Sequence, residues 1–137
     1  MKTKIRAQLF FLIFILFLAF GCRDAVEAVA GEDKTWNAES LGVPYAAEFA
    51  GAVRWWGAGL KIDSGAVQRA EWVGDLGPDR AVYWPSHPRR IYFNAALSWP
   101  PGAFCYAAAH ELGHFLGYGH SSDPQSIMYP LPGILQC

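Results

Sequence analysis

Positive charge is scarce in this sequence of 137 residues. After residue 21 the chain carries 8 Lys and Arg residues against 12 Asp and Glu residues, with no basic stripe. This balance excludes the electrostatic footprint of a nucleic-acid-binding protein. Internal repeats and low-complexity segments are also lacking, so one domain is expected at this length. Six Trp and six Tyr residues exclude a disordered chain and predict a small, aromatic-rich core.

A single long hydrophobic run is present, and it lies near the start of the chain. Residues 9–20 are apolar and follow Lys2, Lys4 and Arg6. A run of about 12 residues matches the apolar region of a signal peptide, whereas a spanning helix needs roughly 18 or more apolar residues. We therefore expect residues 1–21 to be a signal peptide and the protein to be exported. An uncleaved membrane anchor is the alternative.

The end of the hydrophobic run resembles a bacterial lipoprotein signal. Gly21-Cys22 stands where such proteins place the cysteine that becomes the lipid-modified first residue. Lipidation of Cys22 would anchor the protein in the membrane, facing the periplasm or the cell exterior. The polar residues 22–43 would then act as a tether. Ala30, before Gly31, offers a second cleavage site that would instead produce a secreted protein.

The chain has only three cysteines, Cys22, Cys105 and Cys137. Lipidation or cleavage removes Cys22 from the set that can form a disulfide. Cys105 and Cys137 are then an even pair in an exported protein, which favours a disulfide. Two free thiols are the alternative, because sequence spacing does not show whether their Cα atoms come within bonding range.

Hydrophobic periodicity predicts two helices separated by short strands. Apolar residues at spacings of three and four predict an amphipathic helix over Tyr45–Trp56. A second helix is predicted over residues 102–116, and Gly117 ends it. Pro85 and Pro88 follow the third strand candidate and place it at an exposed edge. The strand candidates are residues 60–63, 71–74, Ala81–Trp84 and Arg90–Asn94.

Three of the four histidines lie within eleven residues, in the stretch HELGHFLGYGH. Residues four apart share one face of a helix, so the imidazoles of His110 and His114 converge on one point and suit Zn²⁺. Glu111 lies beside the first histidine, where its carboxylate can act as a general base on a water without binding the metal. Gly117 permits a sharp turn after the helix, which brings His120 back toward the same point.

This stretch resembles the signature of the metzincin zinc proteases at its five defining positions, which are His110, Glu111, His114, Gly117 and His120. Met128, within SIMYP, is similar to the family's Met-turn. Ser121 and the residues after it resemble the matrixin (matrix metalloproteinase-like) branch. The resemblance extends over residues 91–130. Together with the lipoprotein-like signal at Gly21-Cys22, it suggests a minimal, bacterial-type lipoprotein form of that branch.

The resemblance implies a metzincin-like zincin domain of the α/β (α+β) class at residues 44–137. An N-terminal helix would lie against a small twisted mixed sheet, followed by an active-site helix and a short C-terminal segment with the Met-turn. The family also implies a zinc-dependent endopeptidase that acts on protein or peptide substrates. His110, His114 and His120 would bind one catalytic Zn²⁺ with Glu111 as general base. Substrate would lie extended along the strand Ala81–Trp84.

The chain departs from the matrixin pattern where matrixins bind accessory metals. His87 is the one histidine outside the motif, and residues 94–97 lack the carboxylates that matrixins place after this strand. We therefore expect neither a structural zinc nor calcium. We also expect a monomer.

Two other functions are compatible with the same residues. One is a catalytically inactive zinc-binding lipoprotein that docks a partner protein. The other is a zinc hydrolase of a cell-wall amide. Zinc content and peptide cleavage, measured together, separate these possibilities from a peptidase.

Overall fold

A mixed five-stranded sheet forms the framework of the domain. Its strands are β1 (Thr35–Asn37), β2 (Lys61–Ile62), β3 (Gln68–Val73), β4 (Ala81–Trp84) and β5 (Arg90–Asn94). They are ordered β2-β1-β3-β5-β4, with β4 antiparallel to β5 and all other neighbours parallel. The helices are α1 (Tyr45–Trp56) and α2 (Ala103–Phe115). The predicted α/β class with a small mixed sheet is confirmed.

This computed structural model describes residues 33–86 and 88–137, and Lys34–Cys137 form one compact unit. The predicted signal peptide, Cys22 and the second cleavage site at Ala30 lie outside the described residues, as does His87. Within the described ranges, no helix is both long and apolar enough to cross a membrane.

β1 lies inside residues 22–43, the segment predicted to be a tether. Trp36 is fully buried in the core, and β1 pairs with both β2 and β3. A 3₁₀ turn at Glu39–Leu41 follows, in which the Ser40 hydroxyl donates a hydrogen bond to the Ala70 carbonyl at 3.0 Å. The predicted boundary between tether and domain is therefore wrong. β1 belongs to the domain, because the free energy gained by burying a side chain as large as Trp exceeds the cost of ordering the polar residues beside it.

β4 is an edge strand, as the two prolines after it predicted. Val82 stands opposite Tyr92 of β5, and the strand has no neighbour on its other side within the described sheet. The predicted bounds of β4 and β5 match the observed ones. β3 begins three residues before its predicted start, at Gln68, and β2 is shorter than predicted.

The two helices bury their predicted apolar faces in one aromatic-rich core. In α1, Phe49 and Val53 are buried, and the helix ends at Trp56 as predicted. Trp55 and Trp84 do not join this core, since Trp55 is 48% exposed and Trp84 is 52% exposed. The buried stripe of α2 contains Phe104, Ala107, Ala108, Leu112 and Phe115. These contacts place α2 against the sheet with its histidines beside β4.

Asn94, the last residue of β5, joins two loops near that edge. Its side chain is fully buried. The Nδ2 atom donates to the carbonyls of Gly77 and Asp79 at 3.3 and 3.0 Å, and Oδ1 accepts from the Ala96 N–H at 2.9 Å. A neutral amide therefore holds the loop that leads into β4 against the loop that follows β5.

The C-terminal segment returns to the start of α2. Cys105 and Cys137 form a disulfide with their Cα atoms 6.1 Å apart. The Leu135 N–H donates to the Gly102 carbonyl at 3.1 Å, directly before the helix. The segment after Met128 is therefore held along the first turn of α2.

Candidate active site

Three histidines converge at the end of α2. His110 and His114 lie one helical turn apart, and the helix ends at Phe115. Gly117 then adopts a φ of +92°, a left-handed conformation that favours glycine, and the chain reverses toward His120. One ring nitrogen from each histidine lies within 4.8 Å of the others. The spacing in the sequence thus produces the predicted convergence.

Backbone carbonyls orient two of these imidazoles. His110 Nδ1 lies 2.8 Å from the Ile127 carbonyl oxygen, and His114 Nδ1 lies 2.9 Å from that of Tyr118. Because a carbonyl only accepts, Nδ1 is the donor in both rings, and in a neutral imidazole this tautomer leaves the Nε2 lone pair for a metal. Burial lowers the pKa of His110 against the opposing effect of the Ile127 hydrogen bond, and repulsion from His114 and His120 lowers it further.

These observations test whether the residues fit a zinc ion. Zinc binds neutral imidazole nitrogens, and catalytic zinc sites use three protein ligands with the fourth position open. In two of the three rings, the backbone carbonyl bonded to Nδ1 selects the tautomer that can bind a metal through Nε2. The donor set therefore fits a catalytic zinc, and the three ligand assignments stay a prediction.

Glu111 lies between α2 and the edge strand. Its side chain is 8% exposed, and Oε2 accepts a hydrogen bond from the Tyr83 N–H at 2.8 Å. Burial raises the pKa of Glu111 to about 7, the Tyr83 hydrogen bond opposes the rise and the negative charge of Asp79 adds to it. A carboxyl with a pKa near neutrality is suited to accept and release a proton.

Met128, the residue of the predicted Met-turn, packs beneath α2. It is 5% exposed, and its carbonyl accepts from the Ser121 N–H at 2.9 Å. A Cβ atom at position 113 would overlap the Met128 sulfur, so glycine at Gly113 permits this close approach. The turn thereby ties the residue after His120 to the underside of the helix.

A cleft of about 560 Å³ runs past the histidines and Glu111. One wall consists of residues 78–83, which include most of β4, and the other consists of residues 129–133. Tyr106 lies in the floor, and its hydroxyl donates to the Tyr129 carbonyl at 3.3 Å. The cleft therefore has β4 on one side and the segment after Met128 on the other, with the histidine cluster between them.

Sequence reasoning missed several groups that build this site. The Tyr83 N–H and the carbonyls of Tyr118 and Ile127 are backbone atoms, so residue type carries no signal for them. Asp79 was not singled out in the sequence, although it lines the cleft and its charge acts on Glu111. Their positions depend on how β4 and the Met-turn pack against α2.

Comparison with known proteins points to one family. The family model described as Matrixin matches residues 32–135. Matrilysin from Homo sapiens is 51% identical over 47 residues, which are 31% of this chain and 18% of matrilysin. Matrilysin from Rattus norvegicus is 67% identical over 27 residues, or 20% of this chain and 10% of that protein.

Neutrophil collagenase from Homo sapiens is 46% identical over 43 residues, covering 28% of this chain and 9% of the collagenase. The matched segments thus span 18% or less of these relatives. The family match is broader, because it includes nearly all of the folded unit.

Proposed function

We propose, because the chain belongs to the matrixin family, that it is a zinc-dependent endopeptidase that hydrolyses peptide bonds of extracytoplasmic proteins. The observation that carries the proposal is the convergence of three histidine ring nitrogens and the Glu111 carboxylate on a cleft bordered by an edge strand. Each of these features matches a requirement of metal-assisted hydrolysis.

His110, His114 and His120 would hold one zinc ion in this site. When bound, zinc polarises a water molecule and the scissile carbonyl. Glu111 accepts a proton from the attacking water and delivers it to the leaving amine nitrogen. The Tyr83 N–H holds the Glu111 carboxylate beside the cleft through Oε2, which leaves Oε1 to accept the proton.

Substrate would bind as an extra strand beside β4. In an antiparallel pair the N–H and carbonyl of one residue point to the same side. The Tyr83 N–H points away from β5 toward Glu111, so the backbone groups of Ala81, two residues earlier, face the same way. An extended peptide backbone would pair with them. All of these groups come from one copy of the chain, which would work as a monomer.

Zinc analysis and peptide cleavage, performed on the same preparation, test this proposal. We expect one zinc per chain, cleavage of an unbiased peptide library, loss of cleavage with a zinc chelator and recovery with zinc. Two or more zinc ions per chain, or bound calcium, would contradict the single-ion prediction.

Cell-wall fragments serve as a parallel substrate. Bound zinc with cleavage of wall amides alone would identify a wall hydrolase. Bound zinc without any turnover would favour an inactive docking protein. Either result would overturn the proposed peptidase.

Anchoring at Cys22 is proposed on the sequence signal. A multiply acylated cysteine holds a domain at the membrane, since each buried CH₂ contributes about 0.8 kcal/mol. Cys22→Ser should move the protein from the membrane fraction to the soluble fraction or leave an unprocessed precursor, as fractionation and intact-mass measurement would show. A wild-type mature N-terminus at Gly31 would contradict lipidation and support secretion.

A further inference from the structure

Trp56, the last residue of α1, lies against the candidate zinc helix. Its indole Nε1–H donates to the Ala109 carbonyl at 2.7 Å, one residue before His110. Its ring also approaches α2 at Gly113, where an added Cβ would come within 3.0 Å of the indole. Trp56 therefore packs against α2 over the turn that separates His110 from His114.

The same indole stacks on Tyr118, beyond the end of the helix. The ring centroids are 5.2 Å apart and the planes meet at 20°. The Tyr118 carbonyl is the group that accepts from His114 Nδ1. Tyr118 is thus bound at one end by an aromatic partner and binds a candidate zinc ligand at the other.

The position of Tyr118 needs this support because its neighbours are permissive. Gly117 and Gly119 flank it, and glycine restricts the backbone least of all residues. The Tyr118 N–H donates to the Gly113 carbonyl at 2.9 Å, which fixes the peptide group between Gly117 and Tyr118. The Tyr118 carbonyl belongs to the next peptide group, and its orientation depends on how the Tyr118 ring is held. The Tyr118 ring is 54% exposed, so core burial contributes little to its placement.

We propose that Trp56 is a positioning residue for the metal site. By stacking on Tyr118, it fixes the carbonyl that holds His114 in its metal-binding orientation. The inference rests on the proposed function, because the stacking of Trp56 on Tyr118 can support a metal site only if the three histidines bind zinc. Trp56 acts through Tyr118, and it is not among the residues that line the cleft.

Metal affinity of single and double variants tests the route from Trp56 to His114. Tyr118→Ala removes the stacked ring and keeps the carbonyl, whereas Tyr118→Phe keeps the stack. The matched control is Trp55→Ala, since Trp55 is a neighbouring half-exposed tryptophan whose ring contacts Trp56 but not Tyr118. Zinc affinity is measured by chelator competition, and the visible absorption of the Co²⁺-loaded protein reports ligand geometry.

We expect Tyr118→Ala to weaken zinc binding about 10- to 100-fold, the effect typical of disturbing a group that orients a zinc-binding histidine. The Co²⁺ absorption should change, while the metal-free thermal midpoint stays close to wild type because the ring is half exposed. Tyr118→Phe and Trp55→Ala should retain wild-type zinc affinity. Trp56→Leu should weaken zinc binding in the wild-type background and have a much smaller effect in the Tyr118→Ala background.

Unchanged zinc affinity in Tyr118→Ala would overturn the inference. Additive effects of Trp56→Leu and Tyr118→Ala would also overturn it, because the two residues would then act independently. A failure of the proposed peptidase activity can be distinguished from a failure of this inference, since measuring zinc affinity and Co²⁺ absorption requires no substrate. A wild-type chain that binds no zinc would overturn both proposals.

Discussion

A Glu111→Gln variant is expected to turn over peptides about 10²- to 10⁴-fold more slowly than the wild type, which is the usual contribution of a general base. Glutamine cannot accept the proton of the attacking water. Its side-chain oxygen can still accept from the Tyr83 N–H, so the contact between α2 and β4 is preserved. The three histidines are unchanged, and zinc content should therefore remain at the wild-type value.

Steady-state kinetics with zinc analysis of the same sample check this expectation. Glu71→Gln is the matched control, because Glu71 pairs with Arg90 on the sheet at 3.5 Å and lies outside the cleft. That partly exposed pair contributes little to stability, so the control should retain wild-type kcat. A zinc-loaded Glu111→Gln enzyme with wild-type kcat would show that another group takes the proton.

Loss of the Cys105–Cys137 disulfide is expected to lower the free energy of unfolding by about 3 to 4 kcal/mol, on the chain-entropy treatment of a cross-link. The two cysteines are 32 residues apart in sequence. The bridge closes the segment that contains the Met-turn and the cleft wall at residues 129–133. We therefore also expect KM for peptides to rise more than kcat falls.

Denaturant unfolding of a Cys105→Ala/Cys137→Ala variant measures this loss. Alanine is chosen because Cys105 is fully buried, and a serine hydroxyl there would need a hydrogen-bond partner. Wild-type protein unfolded with reductant should show the same decrease, and the double variant should be insensitive to reductant. Equal unfolding free energies with and without reductant would contradict a stabilising bridge.

Local sequence pattern determined the helices and the histidine cluster. The i and i+4 spacing of His110 and His114, followed by Gly117, predicts convergence of the rings before any tertiary contact is known. The bounds of α1 and β4 followed from periodicity and from glycine and proline at their ends. These features depend on residues close together in the chain, so the sequence alone contains the necessary information.

β1 shows where local pattern failed. It has only three residues, and a single buried tryptophan between Thr35 and Asn37 produces no measurable alternation. Polar and charged residues before it favoured a tether. Only its position between β2 and β3 makes it a strand, because both partners come from distant parts of the chain.

Tertiary structure alone decided the environment of Glu111 and the pairing of the cysteines. The sequence identified Glu111 as a base, but its pKa near 7 arises from burial between α2 and β4 and from Asp79. Sequence spacing likewise left Cys105 and Cys137 as either thiols or a disulfide, and their Cα separation of 6.1 Å depends on how the C-terminal segment returns to α2. In both cases the deciding contacts join residues far apart in sequence, where packing rather than spacing determines distance.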